Sequence, residues 1–325
     1  MNLKRNILSG HGVGLVTPFH APDSGAQAGK IDYPALERIL APMARAAVDF
    51  VVVLGENAER ATLRQEERLQ LLSFVLEIVK PPLSLLIGVG GDDPSDIEDQ
   101  IHQLQATAQP LDHRKVIAGL ILSSPSEGRF DAPGYVAHAR RVAEVSPWPV
   151  VLQRRSSASA RQPLDVAVFL ELARVPNIVG VRLDGEDRRF AIQLLQHRPA
   201  GWGVVTASDT LAISDLALGT DGIISSLGNA FPDAWGRMVH QALFGDISSA
   251  RETYRALYPL IEAVDPLPAA AAVKHVLSLL NVCGAQVRPP LTGVSDVARA
   301  QLYAAIAHLP DAWHAPAAAR SGVLS

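Results

Sequence analysis

Eight short polar words, each closing an apolar run, hold the residues of this chain that could do chemistry. Thr17-Pro18 closes the first run, and Glu56-Asn57-Ala58-Glu59 follows the second. Asp92 follows the third, and Ser123-Ser124-Pro125-Ser126-Glu127 closes the fourth. Gln153-Arg154-Arg155 and Arg182-Leu183-Asp184 end the fifth and sixth. Thr206, Ser208 and Asp209 end the seventh, and Ser225-Ser226 the eighth. If these ends converge, an arginine stands among carboxylates. A buried guanidinium needs a partner, so Arg182 is expected within reach of Glu56, Glu59, Asp184 or a bound anion. Its planar fork suits bidentate binding of a carboxylate ligand. Glu56 and Asp184 could also act as a general acid/base pair, although solvated loop carboxylates are the plainer reading. Arg154 and Arg155 could hold anions or simply begin a surface loop. Ser123, Ser124 and Ser126 have no histidine beside them, which disfavours a nucleophilic serine. Glu56, Asp92, Asp184 and Asp209 offer the oxygen ligands Mg²⁺ takes, and so keep a metal-dependent aldolase open. Against it, only His20 among the histidines follows a run's end, and Arg182 would repel a cation. No metal and no cofactor is expected.

The elements that must position these groups are legible as a repeat. The apolar runs are Gly12–Phe19, Phe50–Gly55, Leu83–Gly90, Val116–Ser124, Pro149–Arg154, Ile178–Gly185, Gly203–Asp209 and Gly222–Gly228. Each is nearly continuous, as in Val51-Val52-Val53-Leu54, which is the pattern of strands buried on both faces of a parallel sheet. Helical patterns lie between them. Asp32 is placed to cap Ala35–Ala47, where Leu36, Ile39, Leu40 and Met43 recur at helical spacing. Thr62-Leu63-Arg64-Gln65 has the spacing of a capping box before Glu66–Lys80, and Asp93-Pro94 starts a third helix. Eight such units predict an α/β fold, a closed (β/α)8 TIM barrel with its chemistry at the C-terminal ends of the strands. An open doubly wound sheet is the rival, but Gly88-Val89-Gly90-Gly91 is not its phosphate-binding fingerprint. After the eighth strand, Asp233–Phe244, Ser248–Val264, Ala269–Leu280 and Ser295–Leu309 all read as helical. They are taken as the last barrel helix and a C-terminal three-helix appendage. The expected division is residues 1–245 as barrel, 246–310 as helical bundle and 311–325 as a disordered tail.

Composition sets the remaining bounds. The 325 residues are 48% hydrophobic and carry a net charge of −4 without long runs of one sign. That argues against nucleic acid or an anionic membrane as partner. A single cysteine, Cys283, excludes a disulfide framework. No apolar run approaches the ~18 residues of a membrane span, and the first twenty residues make a poor signal peptide. A cytoplasmic location is expected.

Several words resemble the dihydrodipicolinate synthase / N-acetylneuraminate lyase family. They are Gly14-Leu15-Val16-Thr17-Pro18-Phe19; Val53-Leu54-Gly55 followed by Glu59-Arg60-Ala61-Thr62-Leu63; and Asn177-Ile178-Val179-Gly180-Val181. Gly219-Thr220-Asp221-Gly222-Ile223-Ile224-Ser225 and Pro268 followed by Lys274 complete the set, in family order from about Gly12 to about Leu309. The resemblance implies a barrel with a C-terminal helical bundle, assembly as a homodimer or homotetramer, and lyase or aldolase chemistry on a small keto acid. It also implies an imine-forming lysine in a word like I-x-G-x-K at the end of strand six. Here that word is Ile178-Val179-Gly180-Val181-Arg182. Imine formation needs an amine that can lose its proton, and arginine stays protonated. The family tyrosine of strand five aligns with Gln153. The G-T-T-G-E word is Gly55-Glu56-Asn57-Ala58-Glu59, so the relay hydroxyl becomes Asn57. The tyrosine pair after strand four aligns with Ser126 and Glu127. The lysines are Lys4, Lys30, Lys80, Lys115 and Lys274, and none is expected at a strand's C-terminal end. The resulting expectation is a divergent homologue without lysine-imine chemistry. It would bind a small carboxylate through Thr17, Glu56, Asn57, Gln153, Arg182, Ser208 and Ser225, with or without acid/base lyase activity. A non-catalytic structural or regulatory homologue is the alternative.

Overall fold

The computed structural model describes residues 6–109, 116–124, 130–154, 164–185, 187–310 and 313. Eight strands close into one parallel barrel in sequence order. They are β1 Gly10–Gly14, β2 Phe50–Val53, β3 Ser84–Val89, β4 Ile117–Leu122, β5 Val150–Arg154, β6 Ile178–Leu183, β7 Gly203–Thr206 and β8 Gly222–Ser225. The first and last pair directly, Gly12 against Ile224. Seven helices alternate with the strands: α1 Tyr33–Met43, α2 Gln65–Ile78, α3 Pro94–Ala108, α4 Ala132–Val145, α5 Val166–Leu172, α6 Arg188–His197 and α7 Ala212–Leu218. The eighth barrel helix is α8, Pro232–Leu243, and α9 Ile247–Val264, α10 Ala269–Leu279 and α11 Asp296–Ala307 follow it. The chain is therefore a (β/α)8 barrel with C-terminal helices.

The strands are shorter than the apolar runs that announce them, because each run continues past its last ladder bond into the mouth loops. Side chains alternate faces along a strand. Phe50, Val52, Leu86, Ile121, Val151, Val205 and Ile224 turn inward and fill the barrel. Their neighbours Val13, Val51, Val53, Leu85, Leu120 and Val150 turn outward and bury against the helices. Caps follow local sequence. Asp32 accepts from the Ala35 N–H at 2.9 Å, and Asp93 from Ser95 at 2.9 Å. The box at α2 sits two residues later than its spacing suggests. The Arg64 N–H donates to Glu67 at 2.9 Å, while the Thr62 hydroxyl donates to the Glu59 carbonyl of the preceding turn.

Candidate active site at the barrel mouth

The inward alternation carries one residue from each strand end to the mouth. Gly14, Gly88, Ser123, Gln153, Arg182, Ala207 and Ser226 line it, with Glu56 and Asn57 from a 3-10 turn, Glu56–Ala58, after β2. The turn needs unusual backbone. Leu54 has φ 58° and Glu59 φ 53°, values that side-chain-bearing residues adopt at a cost. A Cβ on Gly88 would collide with the Leu54 carbonyl, so only glycine lets the two strand ends approach.

Gln153 and Arg182 are register partners on β5 and β6 and point the same way. The Arg182 Nη2 donates to Glu56 Oε2 at 2.9 Å and lies 3.1 Å from Asp184 Oδ1. The Gln153 amide donates to Glu56 at 2.7 Å and to Asp184 at 2.8 Å. One guanidinium and one amide thus clamp two carboxylates. Burial works against the charge on Arg182, but the Asp184 and Glu56 carboxylates outweigh it and hold the guanidinium protonated, above its ordinary range. Its Nε finds no hydrogen-bond partner among the described residues. Asn57 donates to Ser226 Oγ at 2.9 Å and to the Gly14 carbonyl at 3.2 Å. The space left between these groups is about 20 Å³, roughly room for a single water.

Several expected site residues stand elsewhere. Glu59 is not a partner of Arg182. It turns away into a fully buried ion pair with Lys274 of α10 and accepts the Arg288 N–H at 2.8 Å. Lys274 belongs to the appendage as expected, but its ammonium reaches back to the strand-one exit, 4.1 Å from the Phe19 ring. Burial lowers its pKa, opposed by Glu59. Lys274 is absent from the mouth lining, as are Lys30 and Lys80; Lys4 and Lys115 lie outside the described residues. Ser225 faces out of the barrel, 3.2 Å from His11 Nε2; alternation gives the mouth to Ser226 instead. Thr17 is buried and donates to the Ala58 carbonyl at 2.9 Å, supporting the turn from behind. Ser208 accepts from the Leu211 N–H at 3.3 Å and is not in the lining. Arg154 stacks on Phe190 at 3.6 Å and meets Asp187 at 3.3 Å, away from the mouth; Arg155, Ser126 and Glu127 lie outside the described residues. Asp209 accepts the Ser226 and Leu227 N–H groups at 3.2 and 3.0 Å, and burial pushes its pKa up to about 7. Among the described residues, no three His, Cys, Asp or Glu side chains converge as a metal site would require. His20 sits 3.7 Å from Asp32. Ser124 donates to the Gln153 carbonyl at 2.7 Å, which helps fix the residue that clamps both carboxylates.

A closed (β/α)8 barrel followed by C-terminal helices defines a class that the whole chain shares. Residues 8–309 match the Dihydrodipicolinate synthetase family, and the chain belongs to it. It is 28% identical to the 4-hydroxy-tetrahydrodipicolinate synthase of Azobacteroides pseudotrichonymphae over 90% of this chain and 95% of that one. It is 29% identical to the Neisseria gonorrhoeae enzyme of the same name, over 92% and 98%. Its fold superposes on the 4-hydroxy-tetrahydrodipicolinate synthase of Methylacidiphilum fumariolicum with a TM-score of 0.84 at 24% identity, covering 93% and 95% of the two chains. A chloride-inhibited dihydrodipicolinate synthase from Acinetobacter baumannii, complexed with pyruvate, gives 0.84 at 21% identity over 93% and 98%. Among the described residues, no single helix is long and apolar enough to cross a membrane.

Proposed function

We propose that this chain binds a small carboxylate, of keto-acid type, at the barrel mouth, and that it does not form a lysine imine. The observation that carries this reading is Arg182 itself, charged, largely buried and pointing into the mouth at the end of β6. Its fork can hold a carboxylate by two charge-assisted hydrogen bonds, with Gln153 and Asn57 as neighbouring amide donors. An arginine cannot be the amine of an imine. The relatives named 4-hydroxy-tetrahydrodipicolinate synthase support a keto-acid-like ligand. In this chain Glu56 and Asp184 are the groups available for acid/base lyase chemistry on it. The narrow space at the mouth favours a second reading, a homologue that binds or assembles without turnover. Assembly as a homodimer or homotetramer in the cytoplasm accompanies either.

Borohydride reduction in the presence of pyruvate, followed by intact-mass analysis, tests the absence of an imine. The expected mass is unchanged, and a lysine adduct with turnover would overturn the reading. Thermal shift against small acids tests carboxylate binding, because a ligand of the native state raises apparent stability. Arg182→Lys is expected to allow trapping at most, without appreciable turnover. The relay groups replaced by Gln153 and Asn57 would leave it short by about 10²–10⁴-fold.

A further inference from the structure

Both ionic contacts of Arg182 leave from one nitrogen. Nη2 meets Glu56 and Asp184, while Nε has no hydrogen-bond partner among the described residues. A carboxylate prefers the fork, two parallel N–H donors on one guanidinium edge. The present arrangement is therefore not the best that Arg182 can make with an anion. The two carboxylates are also held differently. The Asp184 side chain is 18% exposed, and its backbone N–H is tied to the Arg154 carbonyl at 3.1 Å. The Glu56 side chain is 42% exposed and rides on a single 3-10 turn. Its longer chain can turn toward water by giving up the bonds from Arg182 and from the Gln153 amide, which then face the ligand. With Glu56 in place, about 20 Å³ remains at the mouth, too little for any organic acid.

We propose that Glu56 is a displaceable plug. Its carboxylate occupies the place of the ligand's carboxylate on Arg182 in the empty protein, and it swings out when a ligand arrives. The inference rests on Arg182 being the anion-binding group proposed above. It adds that the apparent affinity is set by a competition inside the chain. A protein open for one part in ten binds about ten-fold more weakly than one held open.

The test compares the wild type, Glu56→Ala and Glu56→Gln by calorimetric titration with sodium acetate and sodium pyruvate against sodium chloride. The alanine variant vacates a space of about acetate's size; the glutamine variant removes the charge but keeps the bulk. The expected result is about ten-fold tighter acetate and pyruvate binding in Glu56→Ala. Glu56→Gln should stay within about three-fold of wild type, and adding Arg182→Gln should abolish binding. An equal gain in both Glu56 variants would mean that only charge was relieved, and would overturn the plug while leaving the Arg182 site. Unchanged or weaker binding in Glu56→Ala would also overturn it, by making Glu56 a bystander or a ligand contact. Binding that survives Arg182→Gln, or no carboxylate binding in any of these proteins, would remove the reading beneath it as well.

Discussion

Arg182 and Lys274 each meet a glutamate of the same short turn, Glu56 and Glu59, yet the two pairs live in different surroundings. Lys274 and Glu59 are completely buried, and every side of the pair is closed. Lys274 also donates to the Gln286 carbonyl at 2.8 Å. Arg288 meets Glu59 through its backbone, and its guanidinium grips Glu67 at 2.7 and 2.9 Å. At the mouth, Glu56 is partly in water, and the Arg182 Nε has no hydrogen-bond partner among the described residues. The closed cluster holds the turn from behind, while the open one leaves Glu56 partly in water.

The largest effect that bears on this contrast is expected from Lys274→Ala. It strands the Glu59 charge without water, and breaking a buried pair costs about 3–5 kcal/mol, to be measured by denaturant unfolding. Arg182→Met should cost only about 1–2 kcal/mol, since Glu56 can turn to solvent, as half-exposed pairs allow. Equal losses from the two would erase the distinction. A further contrast lies in pH. The Asp209 carboxyl behind the β8 exit is raised by burial to about 7. The unfolded chain releases that proton near the ordinary 3.8, so the folded state holds more protons between the two values and loses stability as pH rises from 3.8 to 7. Asp209→Asn should remove that slope, so that the variant gains on the wild type as pH rises toward 8. In the closed cluster the sign reverses. The Arg288 guanidinium, hydrogen-bonded to Glu67, holds that carboxyl down at about 2. The stability it contributes is whole above 4.5 and is lost as pH falls from 4.5 to 2, the smallest change expected at ordinary pH. Glu67→Gln should flatten the acid limb of a stability-against-pH curve, and an unaltered limb would show that Arg288 does not hold Glu67.

The barrel was legible because burial on both faces writes each strand as an apolar run. Arg182 was legible because it ends one of those runs, and alternation then fixes its direction. Glu59 was misplaced for a physical reason. It follows Glu56 by three residues, and nothing in its type announces the left-handed backbone that turns it the other way. Lys274 was assigned to the right helix, but its long reach to Phe19 is a tertiary contact that no local pattern encodes. Ser225 was a matter of one residue: two serines end β8, and composition does not say which carries the inward phase.

The Glu59 carboxylate and the Lys274 ammonium are separated by 215 positions along the chain, and Arg288 follows later still. During synthesis, a nascent polypeptide that has released all eight strands from the ribosome still has a glutamate in its rim awaiting a counter-charge not yet translated. The turn that presents Glu56 is therefore finished last. Docking of α10 onto the rim is what buries the Glu59 charge, so a helix beyond the eight strands completes a loop of the barrel's own mouth.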